Sequence, residues 1–474
     1  MLFNTWTFLA FAVVVFGLYY VLPFRWQNRM LLVASYVFYG AWDWRFLSLI
    51  LFSTLVDFLV GRRLGQEADA GRRRQWLVLS CVTNLGLLGV FKYLGFFAQS
   101  FADLAHLFGW NVGPVTLHIV LPVGISFYTF QTMSYTIDVY RRKLEPVESF
   151  QDFALFVAYF PQLVAGPIER ASHLLPQLMQ PRRIRRDQFF EGSWLIAWGL
   201  FKKAVVADNI APRIDEVFLP GNDWATGGAC LVAIYGFAIQ IYCDFSGYSD
   251  VARGLGKLMG IDIMRNFQIP YIATNPSEFW RRWHISLSTW LRDYLYVPLG
   301  GNRGSKLQTY RNLLVTMILG GLWHGAAWTF VLWGVYQGVL LIGHRWFVLD
   351  RKWFRRPESR PLSMIERFSS WFLMFHLVCL GWLIFRAKSV EQIGNILRRI
   401  VSDFRIDLDE VHILWPVLFF GGILLAYDAW LRNADDPRTR PGWKLLGPIA
   451  VTVLAILALV FWPPHIQQFI YFQF

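Results

Sequence analysis

The sequence predicts an all-α polytopic membrane protein, and its composition is the first observation behind that prediction. Hydrophobic residues make up 55% of the 474 positions, aromatic residues 18% and charged residues only 16%. An ordinary soluble domain contains about a quarter charged residues. The mean hydropathy of +0.38 agrees with lipid as the main solvent of the chain. This composition excludes a disordered chain, a small disulfide scaffold and a nucleic-acid-binding domain with a polar surface.

Twelve apolar runs are the second observation. They cover residues 6–22, 30–40, 46–60, 76–90, 115–139, 153–166, 189–206, 226–245, 313–347, 368–385, 414–431 and 445–462. A helix that crosses the hydrocarbon core needs about 20 mainly apolar residues. Several runs are shorter and can tilt, merge or re-enter, so we expect about 10–13 transmembrane and re-entrant helices. The first run lacks the basic flank and cleavage site of a signal peptide, so we expect it to be retained.

The basic residues predict the orientation of the chain. Lysine and arginine exceed the acidic residues by 13, and basic residues collect in cytoplasmic loops. Four short stretches hold much of this excess, namely Arg62, Arg63, Arg72, Arg73 and Arg74; Arg182, Arg183, Arg185 and Arg186; Arg351, Lys352, Arg355 and Arg356; and Arg432, Arg438, Arg440 and Lys444. Placing all four in the cytoplasm puts both termini on the outer face. That arrangement requires residues 153–166 to re-enter and residues 313–347 to cross an even number of times.

His324 lies inside an apolar run that is too long for one crossing. As a single helix, residues 313–347 would extend about 50 Å, so the run must bend or break, and Gly320, Gly321 and Gly325 are where it can. Ionisable groups at membrane depth are rare and usually functional or paired. An imidazole at such a break is placed for proton transfer in a sheltered cavity. The alternative is a neutral core histidine bonded to a backbone carbonyl, and the residues alone favour neither.

His284 lies in a segment of mixed charge and aromatic character. In a continuous helix, Glu278, Arg281, Arg282 and His284 would share a polar face, with tryptophan, phenylalanine and leucine covering the rest. Such a segment at the membrane surface presents cations to an anionic or polar ligand. An interfacial anchor of tryptophan and arginine is the commoner use of this pattern, and the residues alone favour it.

Asp244 and Asp250 lie at the end of the apolar run 226–245 and just beyond it. Paired carboxylates can serve acid–base chemistry, but a spacing of six residues leaves these two on different faces of a helix. We therefore favour structural support through salt bridges with arginines of the next segment.

Metal and nucleotide chemistry find little support in the sequence. The nine histidines are scattered, and no HExxH motif, Walker loop, dinucleotide fingerprint or GxSxG elbow is present. The four cysteines lie far apart, which favours small buried side chains over a disulfide framework. We predict no metal site and no bound cofactor.

Several longer motifs resemble the membrane-bound O-acyltransferases, abbreviated MBOAT. They are EFWRRWHISLSTWLRDYL at 278–295, GGNRG at 300–304, GGLWHG at 320–325, YCDFSGYSD at 242–250, LPVGISFY at 121–128 and ASYVFY at 34–39. The resemblance covers nearly the whole chain. Within the family, the sequence is most similar to bacterial proteins of exopolysaccharide O-acetylation, of which the alginate type is the best known.

The resemblance implies a single MBOAT domain over residues 1–474, shaped as a funnel or tunnel, with the catalytic segment at about 240–348. It implies that His324 is the essential histidine and that His284 is a second catalytic position. The donor is a cytoplasmic thioester, acetyl-CoA or another acyl thioester, and the acyl group passes across the bilayer. We expect His324 to act as a general base on an acceptor hydroxyl or to hold the thioester carbonyl. Arg281, Arg282 and Trp323 are candidates for donor binding.

The resemblance also implies a location and partners. We expect a multi-pass protein of the bacterial inner membrane, with periplasmic termini. The expected partners are a periplasmic SGNH-type acetyltransferase with a catalytic serine and the exopolysaccharide synthesis and secretion complex, with no nucleic acid.

The aromatic tail at residues 465–474 has two interpretations. An interfacial aromatic belt is the ordinary one. In related D-alanine export systems, a C-terminal tyrosine motif of a small partner carries the acyl group, and the similarity makes Tyr471 a candidate acyl carrier. Alternative acceptors within the family are cellulose, peptidoglycan and teichoic acid, the last with D-alanine as the cargo. The alternative from another class is a non-catalytic transporter of polymer or acyl compounds.

Overall fold

A computed structural model places most of the chain. It describes residues 1–110, 119–219, 221, 225–351, 363–407, 410–431, 437–439, 442–463 and 467–470. The structure is 79% helical, and none of the residues just given lies in a β-strand. The predicted all-α class is therefore confirmed.

Twenty α-helices occur in this part of the chain. In order they are α1 Trp6–Val21, α2 Phe24–Asp43, α3 Leu47–Gln66, α4 Ala70–Leu88, α5 Leu94–Leu107, α6 Ile125–Tyr140, α7 Phe150–Ala158, α8 Phe160–Leu163, α9 Ala171–Leu178, α10 Arg186–Leu200, α11 Asp208–Val217, α12 Gly227–Leu258, α13 Pro276–Arg282, α14 Ile285–Leu291, α15 Lys306–His324, α16 Trp328–His344, α17 Met364–Arg386, α18 Val390–Ser402, α19 Val411–Leu431 and α20 Trp443–Phe461. Short π-helical turns extend several of them, including Phe201–Ala207 after α10.

Within the part of the chain that the structure describes, five helical stretches are long and apolar enough to cross a membrane. They are Phe24–Gln66, Ala70–Leu107, Gly227–Leu258, Met364–Arg386 and Val411–Trp430, and Trp6–Val21 and Gly447–Phe461 are shorter apolar helices. In the most apolar window of Ala70–Leu107, only 17% of the residues are buried inside the protein. Large apolar side chains on Ala70–Leu107 are therefore exposed, as expected where the neighbour is lipid, whereas Gly227–Leu258 is 83% buried in its most apolar window. The protein is a multi-pass membrane protein.

The chain divides into two compact units. Unit 1 consists of Met1–Ile196 and Val251–Met264, and unit 2 of Ala197–Asp250 and Arg265–Phe474. In unit 1, the run predicted to re-enter forms the short helices α7 and α8, and every residue from 153 to 165 is buried. A nine-residue helix extends only about 14 Å, so neither helix is long enough to cross a bilayer.

A buried polar network joins helices α3, α4 and α6 of unit 1. The Asp57 carboxylate accepts hydrogen bonds from Ser80 Oγ at 2.6 Å and from Asn84 Nδ2 at 2.8 Å. Ser80 Oγ also lies 3.0 Å from Thr136 Oγ1. Because lipid offers no hydrogen bonds, these side chains satisfy one another within the helix bundle.

The long run 313–347 breaks in unit 2, as its length predicts. Helix α15 ends at His324, the extended Gly325 caps it, and α16 begins at Trp328. The two helices pack closely through glycines. A Cβ on Gly321 would collide with the carbonyl oxygen of Phe330, and one on Gly334 would lie 2.5 Å from the carbonyl oxygen of Met317. This glycine contact holds the His324 end of α15 against α16.

We predict that Gly321→Ala destabilises the protein and that Gly343→Ala does not. The first adds a methyl group where two backbones touch, which costs about 1–3 kcal/mol. Gly343 is the matched control because it also lies in the helical pair, and a Cβ added there would meet no atom within 4 Å. Thermal unfolding of the detergent-solubilised variants measures the difference. Equal melting temperatures for the two variants would contradict the close packing of α15 and α16.

Candidate active site

His324 lies in an aromatic enclosure of unit 2. Its side chain is buried, with 5% of the residue exposed. The imidazole centroid lies 5.1 Å from the ring of Trp323, 5.2 Å from that of Trp333 and 5.3 Å from that of Phe385. Trp333 comes from α16 and Phe385 from α17, so three helices supply the walls around one titratable group.

His284 occupies a left-handed turn between two short helices. Helix α13 ends at Arg282, α14 begins at Ile285, and the φ of His284 is +42°. The helical arrangement considered from the sequence is therefore interrupted at His284. The turn directs the side chain inward, where it is fully buried, so His284 does not share the surface of Arg281 as a polar face would require.

Asn266 supports the turn at His284. Its backbone carbonyl accepts the amide of Ile285 at 2.9 Å, and its Oδ1 accepts the hydroxyl of Ser286 at 2.6 Å. Its Nδ2 in turn donates to Ser249 Oγ on α12 at 3.1 Å. A non-glycine residue in the left-handed region costs about 1 kcal/mol or more, and such strain persists only where the surroundings hold it. Asn266 was not among the predicted site residues, because nothing local links residue 266 to residue 284.

The two histidines share one enclosure. Their ring centroids are 6.3 Å apart, and the Trp323 ring lies 5.8 Å from that of His284. Phe245 meets His284 edge to face at 4.6 Å. Burial in these apolar surroundings lowers the pKa of His284 to about 3, so its imidazole is neutral near pH 7. A neutral imidazole can donate or accept a hydrogen bond, and burial in apolar surroundings strengthens each polar interaction.

The three candidates for donor binding lie in different settings. The Arg282 guanidinium is paired with the Glu278 carboxylate at 3.0 Å and also donates to the carbonyl of Gln268. Arg281 is exposed, whereas Trp323 is buried beside the two histidines. Arg282 therefore stabilises the loop before His284, and Arg281 is the arginine accessible to an anionic ligand.

Asp244 and Asp250 lie on different faces of α12, as predicted, and each carboxylate forms an ion pair with a lysine. Lys202 Nζ is 2.6 Å from the Asp250 carboxylate, and Lys203 Nζ is 2.9 Å from that of Asp244. The salt bridges expected with arginines of the following segment stay a prediction. Both lysines belong to the π-helical turn Phe201–Ala207. Two consecutive lysines inside the apolar run 189–206 were the signal in the sequence, because buried lysines need carboxylate partners.

The chain returns to the site just before its end. Residues 467–470 lie in unit 2, and the rings of Phe469 and Phe245 are 6.0 Å apart. The backbone amide of Ile470 donates to the Asp244 carboxylate at 2.7 Å. Tyr471, the candidate acyl carrier, lies outside the described residues. Among the residues that the structure does describe, no group of three or more histidine, cysteine, aspartate or glutamate side chains could hold a metal ion.

Comparison with known proteins shows the family to which the chain belongs. Residues 145–385 match the model of the membrane-bound O-acyltransferase family, MBOAT. The probable alginate O-acetylase AlgI of Azotobacter vinelandii is 46% identical over 82% of this chain and 76% of its own length. That of Pseudomonas aeruginosa is 45% identical over 82% and 73%. The peptidoglycan O-acetyltransferase of Helicobacter pylori is 36% identical over 85% and 80%.

The chain therefore belongs to the membrane-bound O-acyltransferase family and is an O-acyltransferase. The matched region contains both histidines, Asn266 and Phe385. The aromatic enclosure around His324 thus lies within the part of the chain that defines the class.

Proposed function

We propose that this protein takes an acetyl group from a cytoplasmic thioester donor and passes it across the membrane for O-acetylation of an exopolysaccharide such as alginate. The observation that carries the proposal is the buried pair His324 and His284, enclosed by aromatic rings, in a chain 45–46% identical to alginate O-acetylases. The donor is acetyl-CoA or a related acyl thioester. The protein resides in the bacterial inner membrane with both termini in the periplasm.

The reaction is an acyl transfer in which His324 is the general base. Its neutral imidazole removes the proton from an acceptor hydroxyl, and the hydroxyl oxygen attacks the thioester carbonyl carbon. The carbon–sulfur bond then breaks, and the proton held by His324 passes to the departing thiolate. His284, 6.3 Å away between ring centroids, is the second polar group in the enclosure and orients the reacting carbonyl. Exposed Arg281 receives the phosphates of the donor.

Tyr471 is the proposed first acceptor of the acetyl group. The preceding residues support this proposal, because Phe469 and Ile470 are buried and Phe469 contacts Phe245, whose ring meets His284. From the tyrosyl ester, a periplasmic SGNH-type acetyltransferase with a catalytic serine completes transfer to hydroxyl groups of the polymer. The exopolysaccharide synthesis and secretion complex supplies that polymer.

A second candidate acceptor is peptidoglycan. The 36% identity to a peptidoglycan O-acetyltransferase over 85% of the chain favours it over cellulose and teichoic acid. Analysis of acetyl groups on secreted polymer and on cell wall from a deletion strain distinguishes the two. Loss of acetyl groups from the wall alone would assign peptidoglycan as the acceptor.

We predict that His324→Asn abolishes acetyl transfer from labelled acetyl-CoA in proteoliposomes. Removal of a general base lowers the rate by about 10²–10⁴-fold. His412→Asn is the matched control, because His412 is an exposed histidine that lies 3.4 Å from the Glu216 carboxylate, outside the aromatic enclosure. A transporter without catalysis would give equal rates for both variants, and that result would exclude the proposed enzyme mechanism.

We predict that Tyr471→Phe abolishes acetylation of the polymer while the protein remains folded. The change removes a single hydroxyl group and leaves the aromatic ring. Mass spectrometry of the wild-type C-terminal peptide should find an added acetyl group on Tyr471 and none in the variant. Full activity of the variant, with no acetylated peptide in the wild type, would contradict the carrier role.

A further inference from the structure

The C-terminal segment 467–470 is buried at its end although it follows the last helix. Helix α20 ends at Phe461, yet the exposed fractions of Phe469 and Ile470 are 0% and 1%. Residues 467–470 belong to no α-helix, so contacts with other parts of the chain account for this burial.

A buried ion cluster binds the segment through its backbone. Lys203 Nζ lies 2.6 Å from Asp208 Oδ1 and 2.9 Å from Asp244 Oδ1, and it also donates to the carbonyl of Gln467 at 3.2 Å. The other oxygen of Asp244 accepts the amide of Ile470 at 2.7 Å. One lysine and one aspartate thus contact the two ends of a four-residue stretch.

Lys202, the residue before Lys203, also has a buried ammonium group, but that group contacts different partners. Lys202 lies one position earlier in the same π-helical turn and is buried to a similar degree. Its ammonium group pairs with Asp250 at 2.6 Å and donates to Ser246 Oγ at 2.8 Å. Lys203 instead has two carboxylates around it and a backbone carbonyl of the tail. π-Helical turns often occur at functional sites, and this one directs the two lysines to separate partners.

The bound segment lies one aromatic ring away from His284. The Phe469 ring is 5.1 Å from that of Tyr248 and 6.0 Å from that of Phe245. The Phe245 ring is in turn 4.6 Å from the imidazole of His284. Asp244 and Phe245 are adjacent on α12. Asp244 binds the backbone of the segment, and Phe245 packs between the segment and His284.

We propose that Lys203, Asp208 and Asp244 form a clasp that positions the C-terminal segment for acyl transfer, with Asp244 as the key positioning residue. This inference rests on the proposed carrier role of Tyr471, which immediately follows Ile470. The clasp holds main-chain atoms, so it fixes the direction of the chain without contacting the reacting group. Its role differs from the structural support that the sequence suggested for Asp244.

The charge balance makes the clasp testable by substitution. One ammonium group lies between two carboxylates, so Asp244→Leu leaves the neutral pair Lys203–Asp208 intact. Breaking a buried pair completely is strongly destabilising, and this variant avoids that cost. Lys203→Met is the second variant, and it does break buried pairs. Lys202→Met is its matched control because it also removes a buried ammonium group from a carboxylate.

The test measures exposure of the tail separately from activity. Ile470→Cys places a thiol at a buried position, and maleimide labelling of that introduced thiol reports opening of the segment. The parent protein without this substitution gives the background from Cys81, which is partly exposed. We expect labelling at least tenfold faster with Asp244→Leu or Lys203→Met and unchanged with Lys202→Met.

Acetyl transfer, measured without the added cysteine, should show a lower kcat for Asp244→Leu and an unchanged KM for acetyl-CoA.

Each outcome of this experiment decides a separate point. Slow labelling of the introduced thiol in both clasp variants would overturn the clasp, even if His324→Asn still abolishes turnover and the proposed function stands. Fast labelling with unchanged kcat would overturn the positioning role. Faster labelling in Lys202→Met by the same factor would show general loosening of the bundle and would also overturn the proposal. Fast labelling with a lower kcat, confined to the clasp variants, supports it.

Discussion

The close approach of α15 and α16 is the contact on which the site depends. Gly321 has no side chain, so the backbone of α15 can lie directly against the backbone at Phe330. This close packing lets the chain reverse at Gly325 and keeps His324 inside the protein. The same reversal brings Trp333 of α16 against the imidazole. A wider helix pair would leave a gap around His324 and admit water. The burial of His324, the proposed catalytic histidine, and the aromatic enclosure around it therefore have one structural origin.

Lipid around the helices imposes the second constraint, which is internal pairing of polar groups. Asp57 in unit 1 is bonded to hydroxyl and amide groups, whereas Asp244 and Asp250 in unit 2 each have a lysine. The hydroxyl and amide partners of Asp57 connect helices α3, α4 and α6. The cluster around Lys203 also reaches a main-chain carbonyl near the end of the chain. The Lys203 cluster thus holds residues 467–470, which follow α20, whereas the Asp57 network holds helices together.

The sequence predicted those features that follow from local patterns. The length of the run 313–347 predicted a break near its glycines, and the break occurs at Gly325. The helical class followed from composition and apolar runs. The environment of His284 was not predictable in this way, because its left-handed turn depends on Asn266, which lies on another segment. The partners of Asp244 were missed for the same reason, since Lys203 and Ile470 are distant in the chain. Long-range pairing leaves no periodic signal in the sequence.

The central claim is that His284 and His324 act as one catalytic unit. The most direct measurement is the rate of acetyl transfer in proteoliposomes for His284→Ala, His324→Ala and the double variant, normalised to folded protein. Residues that act together give non-additive losses. We therefore predict that the double variant is no slower than the slower single variant. Wild-type activity of His284→Ala, or a double-variant loss equal to the product of the single losses, would contradict the claim.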